Sequence, residues 1–186
     1  MSTKQLEKGS LLLAEPGILG DATFARAVIL VAEHGKEGSV GFMLNKPFSF
    51  TLNELVPEIK AKFKLYNGGP VEEDILYFIH NVPQLIPNSV EISRGIYWGG
   101  DFEFTKNLLN SGQLTAQNIR FFLGYSGWAT SQLNEELAAN SWIVAPNQYN
   151  DALIGVSATN LWKKQLLQLG GEYVLWSNAP ENPELN

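Results

Sequence analysis

The segment Gly124-Tyr125-Ser126-Gly127-Trp128 comes nearest to a catalytic motif. A serine two residues after a glycine, at the end of an aromatic apolar run, resembles a nucleophile elbow. That motif, G-x-S-x-G, holds its serine on a strained strand-to-helix turn. Here Trp128 stands where the second glycine belongs, and its indole would crowd such a turn. A triad also needs a histidine base. The chain has two histidines, His34 and His80, both upstream of the serine. Ser126 is therefore read as a small residue in a glycine-rich turn whose glycines take positive φ, with no catalytic role.

Glu33, His34, His80 and Asp74 include enough imidazole and carboxylate to hold zinc. No short ligand spacing such as H-x-x-x-H connects them. A hydrolytic or metal-assisted enzyme using Glu33, His34 and His80 is the alternative reading, and it requires those side chains to converge in one pocket. No cofactor motif is present: the glycines of N-G-G-P (67–70) belong to no G-x-x-x-x-G-K-[ST] or G-x-G-x-x-G pattern. In W-G-G-D (98–101) the Asp101 carboxylate would compete with an anion for helix N-terminal amides. The acidic neighbours Glu72, Glu73 and Asp74, and Glu135 and Glu136, read as solvated. Tyr97, Trp98, Tyr125 and Trp128 lie beside loop glycines, where aromatics either join the core or line a recognition surface.

These residues sit in a chain of 186 residues, 45% hydrophobic and 17% charged, which fits one domain with a substantial core. The formal charge is −6, so direct DNA binding is disfavoured without a local basic patch. The densest basic group, Lys60, Lys62 and Lys64, reads as one solvated face of a helix. With no cysteine, disulfides, thiolate metal sites and cysteine nucleophiles are excluded. The polar N-terminal residues lack the apolar core of a signal peptide, and no apolar run is long enough to span a membrane. A cytoplasmic location is expected.

The elements that must position these residues follow from periodicity and turn chemistry. Ser10–Ala14 reads as a strand stopped at Pro16-Gly17. Ala27–Ala32 and Val40–Leu44 read as a hairpin with a loop somewhat longer than the minimum. Thr51 and Glu54 have capping-box spacing and start a helix, and a second helical piece is considered over Glu58–Lys64, beyond Pro57. Strands are expected over Ile75–His80, Ser89–Ser93, Ile119–Tyr125 and Ser141–Ala145. Asp101 is expected to cap a helix carrying Phe104, Leu108 and Leu109 on one side. Helices are also expected over Thr130–Asn140 and Ala158–Leu169, the latter ended by Gly170-Gly171. Gly124 and Gly127 would turn the aromatic strand sharply into the helix near Thr130. Residues 1–8 and 180–186 read as flexible tails. Strands and helices mix without regular alternation, which predicts an α+β domain.

Several segments together resemble one family. G-S-L-L-L-A-E-P (9–16), D-A-T-F-A-R-A-V-I-L-V-A-E-H (21–34) and G-F-M-L-N-K-P (41–47) resemble the N-terminal signature of the bacterial YqgE/AlgH family. L-Y-N-G-G-P-V (65–71) with the later Ile79-His80 resembles its second block. G-Y-S-G-W (124–128) with Gln132 and Leu133 resembles its third. The resemblance implies a single α+β domain with a bifurcated sheet curled into a pseudo-barrel. It implies the label of transcriptional regulator without a recognised DNA-binding motif, and no catalytic residues. The signature positions are Glu33, His34, Asn45, Lys46, Pro47, Gly68, Gly69, Pro70, His80, Gly124, Tyr125, Gly127, Trp128 and Gln132. Members commonly carry arginine at Lys46 and alanine at Ser126. The first argues against a bidentate anion contact there, the second against a nucleophile. The expectation is a non-enzymatic binding or regulatory protein, without metal or cofactor, whose protein or small-molecule partner meets a surface built from these signature loops.

Overall fold

The computed structural model describes residues 5–17 and 21–180. Of the tails expected at the two ends, residues 1–4 and 181–186 lie outside the described residues. Three strands open the chain: β1 (Leu11–Ala14), β2 (Val28–Gly35) and β3 (Gly38–Met43). β1 and β2 begin as unbroken apolar runs because both faces are covered. The hairpin is tighter than its glycines predict. Pairing continues through His34↔Ser39 to Gly35↔Gly38, leaving Lys36-Glu37 as a two-residue turn.

β4 (Pro47–Thr51) runs into a single helical turn, α1 (Leu52–Leu55). The Glu54 carboxylate reaches back to the Thr51 amide at 2.8 Å, as the capping box requires. The second helix does not form. Residues 56–63 are irregular, and Lys64 opens β5 (Lys64–Asn67), so the three lysines share no helical face. Pro57 removes a helical donor, and the apolar side chains of Ile59 and Phe63 are drawn into the core instead. β6 (Val71–His80), β7 (Val90–Ser93) and β8 (Ile96–Trp98) follow. Asp101 accepts the Phe104 amide at 2.9 Å and caps α2 (Phe102–Asn110). Thr105, Leu108 and Leu109 form its buried stripe, while Phe104 faces outward.

β9 (Ile119–Trp128) is the longest departure from expectation. It does not end at Tyr125 but runs straight through the glycine-rich segment. The turn expected there falls later, where Ser131 takes φ 70° just before α3 (Gln132–Ala138). β10 (Trp142–Ala145), a 3-10 turn (Asn150–Gly155), α4 (Leu161–Leu169) and α5 (Tyr173–Trp176) complete the chain. Gly170 (φ 69°) ends α4 as expected.

The sheet runs β10-β1-β2-β3-β9-β6-β8-β7 and forks at β9. Along one edge, Leu65–Asn67 of β5 pairs in parallel with Phe121–Leu123, and further on Ser39–Gly41 of β3 pairs with Ser126–Trp128. Its other edge carries β6 from Ile119 to Tyr125, with a shift of register between Val71 and Leu76. The expected α+β domain with a bifurcated, curled sheet is observed. The curl does not close into a barrel, because β10 and β7 end the path unpaired with each other.

The fork depends on backbone meeting backbone. Gly124 takes φ 70° within the strand, and a Cβ there would overlap the Gly69 carbonyl oxygen. A Cβ on Gly69 (φ 151°) would overlap the Tyr125–Ser126 peptide. The Gly68 amide donates to the Leu123 carbonyl at 2.8 Å, and its carbonyl accepts the Met43 amide at 3.0 Å. Ser126, fully buried, donates its hydroxyl to the same Gly68 carbonyl at 3.0 Å. That hydrogen bond holds the serine hydroxyl inside the junction.

Gly124→Ala should therefore lower the unfolding free energy by about 2–4 kcal/mol, combining backbone strain and overlap. The comparison is Gly112→Ala: that glycine also has positive φ, but a Cβ there meets open space. It should cost only about 1–2 kcal/mol. Urea midpoints of both variants, at unchanged slope, check the difference.

Candidate functional site

The residues singled out from the sequence divide into four places. Glu33, His34, Tyr125 and Trp128 line one cleft of about 640 Å³, with Lys36, Glu37 and Val71 on its rim. The β2–β3 turn forms one wall, and the final residues of β9 form the floor. The ladder brings them together: His34 pairs with Ser39, and Ser39 with Trp128. His34 Nδ1 lies 2.8 Å from the Ser39 hydroxyl, and among the described residues Nε2 is left for a ligand. The Thr130 hydroxyl donates to the Lys36 carbonyl at 3.1 Å and anchors the turn. Tyr125 is half-buried and packs edge-on against Tyr77, centroids 5.7 Å apart. The Tyr77 hydroxyl in turn donates to Glu72. Burial first, and that hydrogen bond second, raise the Tyr77 phenol well above its usual range.

Trp128 contributes mostly beneath the surface, with 6% exposure. Its indole N–H and that of Trp142 converge on one oxygen of Glu136, at 2.9 and 2.7 Å. Gln132 donates to the other oxygen at 2.9 Å and accepts the Ala129 amide at 3.0 Å. Glu136 is thus no solvated carboxylate. It fixes two indoles in a T-shaped pair and ties α3 to the end of β9. The i, i+4 spacing of Gln132 and Glu136, with indoles at 128 and 142, is the only sequence signal for it.

Asn45, Lys46 and Pro47 lie at the β3–β4 corner and do not reach the cleft. Asn45 accepts the Val28 amide and donates to the Arg26 carbonyl, both at 2.9 Å. Its side-chain amide replaces the main-chain partner lost where β3 stops. Lys46 donates to the Ala25 carbonyl. Gly68 and Gly69 form the crossing against β9, and exposed Pro70 follows them into β6.

His80 is in a fourth place. It is fully buried, stacks on Tyr97, and lies at the opposite end of β9, opposite Ile119. From Ile119 to Trp128 is about 30 Å of strand at 3.3 Å per residue. Glu33, His34 and His80 therefore do not converge, and the enzyme reading built on all three is corrected. The reason is the length of β9, which no local spacing reveals. Among the described residues no three of His, Asp or Glu are grouped to hold a metal ion. His80 is satisfied on both nitrogens: Nε2 faces the Gly99 carbonyl at 3.1 Å, and Nδ1 accepts the Val82 amide at 3.2 Å. Burial lowers its pKa, partly offset by the Gly99 hydrogen bond.

Arg120 is the buried charge that sequence reasoning missed. Its guanidinium donates to the Leu44 carbonyl at 2.9 Å and to the Val156 carbonyl, and stacks over Tyr66 at 4.7 Å. Burial pushes it below the usual arginine range. An arginine inside an aromatic strand gave no pattern to read.

A family model described as AlgH-like matches residues 11–174. A UPF0301 protein of Cytophaga hutchinsonii is 43% identical over 97% of this chain and 100% of its own length. One of Bacteroides thetaiotaomicron is 39% identical, over 96% of this chain and 91% of its own. The crystal structure of a Corynebacterium diphtheriae protein shares the fold with a TM-score of 0.76 at 22% identity, covering 96% of this chain and 95% of that one. The solution structure of the AlgH protein from Pseudomonas aeruginosa does so at 0.73 and 24% identity, covering 97% of each.

The buried, neutral His80 has a signature in pH. Its folded pKa is depressed, so its contribution to stability is present above the unfolded value of about 6.5 and is lost as pH falls through the folded value. The stability gap between wild type and His80→Gln should therefore narrow on going from about pH 7.5 to about pH 5.5. Urea unfolding at each pH measures this. A gap that is constant or widens would mean that the ring is not held neutral.

Proposed function

We propose, from the premise that this chain belongs to the AlgH-like family, that it is a non-enzymatic cytoplasmic protein whose recognition site is the cleft at the β2–β3 turn. The observation that carries this reading is the convergence of Glu33 and His34 with Tyr125 and Trp128, from two segments about ninety residues apart in the sequence, on one concave surface. The cleft combines an imidazole with a free nitrogen, carboxylates, an ammonium and an aromatic wall. Such a mixture orients a polar small molecule or a peptide end through a few directional contacts.

Support for a binding role also comes from what each candidate catalytic group does. Ser126 and His80 are buried and hydrogen-bonded to backbone, so neither reaches a substrate in the cleft. The regulator label of the family fits a mode in which the cleft takes a ligand or a partner segment. A net charge of −6 favours such partners over direct contact with nucleic acid. Among the described residues no helix is long and apolar enough to cross a membrane.

Wild type, His34→Ala and Tyr125→Ala, each with confirmed folding, should differ in capture of partners or ligands from a cell extract. Loss of one directional contact should reduce recovery by about tenfold, equivalent to about 1.4 kcal/mol. Equal recovery by all three proteins would place recognition elsewhere on the surface.

A further inference from the structure

β10 ends the sheet, and its outer edge carries no strand among the described residues. The ladder fixes which groups face outward. The Glu15 amide donates to the Ser141 carbonyl at 3.0 Å, and the register continues with Leu13↔Ile143 and Leu11↔Ala145. In antiparallel pairing, residues that bond to one neighbour alternate with residues that point away. Ser141, Ile143 and Ala145 thus address β1. The N–H and C=O groups of Trp142 and Val144 point to the other side, about 6.8 Å apart along the strand. Among the described residues no strand pairs there.

This edge lies in a groove of about 750 Å³ whose walls come from opposite faces of the sheet. Leu6 and Leu137 belong to the core packed on one face, together with Trp142. Leu169, Tyr173 and Trp176 pack on the other, together with Ile143. A strand entering the groove would place alternate side chains against each wall while its main chain met Trp142 and Val144. Nothing other than an extended backbone supplies a donor and an acceptor at that repeat with apolar side chains on both faces. Among the described residues the single charged side chain lining the groove is Glu172, which favours a cationic residue at one end of the occupant. Exposed Val174 and Leu175, the latter 76% accessible, continue the apolar surface outward along α5.

We infer that the β10 edge is a docking site for an extended peptide segment of a partner protein, apolar on both faces and basic at one end, which adds to the sheet as an eleventh strand. This site is separate from the cleft at the β2–β3 turn and stands independently of it. A second copy pairing β10 with β10 would have to bring its own α3 and α5 against the same walls, so a single strand is the better occupant. Pro146 closes the edge and limits the pairing to a few residues.

The test uses the full chain labelled with nitrogen-15 and a capped seven-residue peptide of alternating valine and isoleucine with one terminal lysine. Titration should shift and protect the Trp142 and Val144 amides. A peptide N-methylated at the alternate amides that face β10 should bind at least tenfold more weakly. One N-methylated at the intervening amides should bind as the parent does. Val144→Pro removes an outward donor without breaking a bond to β1 and should also weaken binding. Edge strands tolerate proline at such a position. The inference is overturned by no shift at these amides up to millimolar peptide, or by binding indifferent to which amides are methylated. It is equally overturned by concentration-dependent shifts at Val144 without peptide, which would assign the edge to a second copy.

Discussion

Everything in this fold hangs on the place where the backbone of Gly68-Gly69 crosses that of Gly124. A strand that belongs to two pairings must leave one neighbour and take another, and two chains must approach there more closely than side chains permit. Gly124 bends β9 at positive φ, while Gly69 fills the space a Cβ would need. The Gly68 carbonyl then accepts both the Met43 amide and the Ser126 hydroxyl. β3 and β9 thus meet at one carbonyl, on the residue that directly follows β5. From this junction β9 carries the sheet in both directions: toward the aromatic core of Phe121 and Phe122, and toward the cleft at Trp128.

The same economy recurs where strands stop. A strand end leaves backbone donors and acceptors that must still be satisfied when buried. Asn45 supplies both partners for residues 26 and 28. His80 does so for Val82 and Gly99, and Arg120 for Leu44 and Val156. These polar side chains act as pieces of missing ladder. Their substitution would leave buried groups unpaired, at a typical cost of about 1–3 kcal/mol each. Glu136 performs the parallel task for two indoles, and so sets the floor on which the cleft rests.

Local rules were legible in the sequence and long-range ones were not. The capping of α2 by Asp101, the capping box at Thr51-Glu54, the glycine end of α4 and the apolar runs of β1 and β2 all follow from neighbours in the chain. The strand β5 and the irregular stretch before it were missed because tertiary burial of Ile59, Phe63 and Leu65 overrides local propensity. The extension of β9 was missed for a related reason. Glycines that read as a turn are, in the fold, the means of passing another backbone. Among candidate site residues, Glu33, His34, Tyr125 and Trp128 meet in the cleft. Asn45, Gly68, Gly69 and His80 belong to the frame. Residue type alone could not separate these roles, since a buried imidazole and an exposed one look alike in a sequence.

The glycine crossing as the cooperative centre of the molecule is the claim most open to direct measurement, by native-state hydrogen exchange. The amides of Gly68 and Met43, which donate across the junction, should exchange only through global unfolding. Their opening free energy should then equal that from denaturant titration and fall with denaturant at the same slope. Exchange of these two amides through a small local opening, while the core amides of β2 stay protected, would contradict the account.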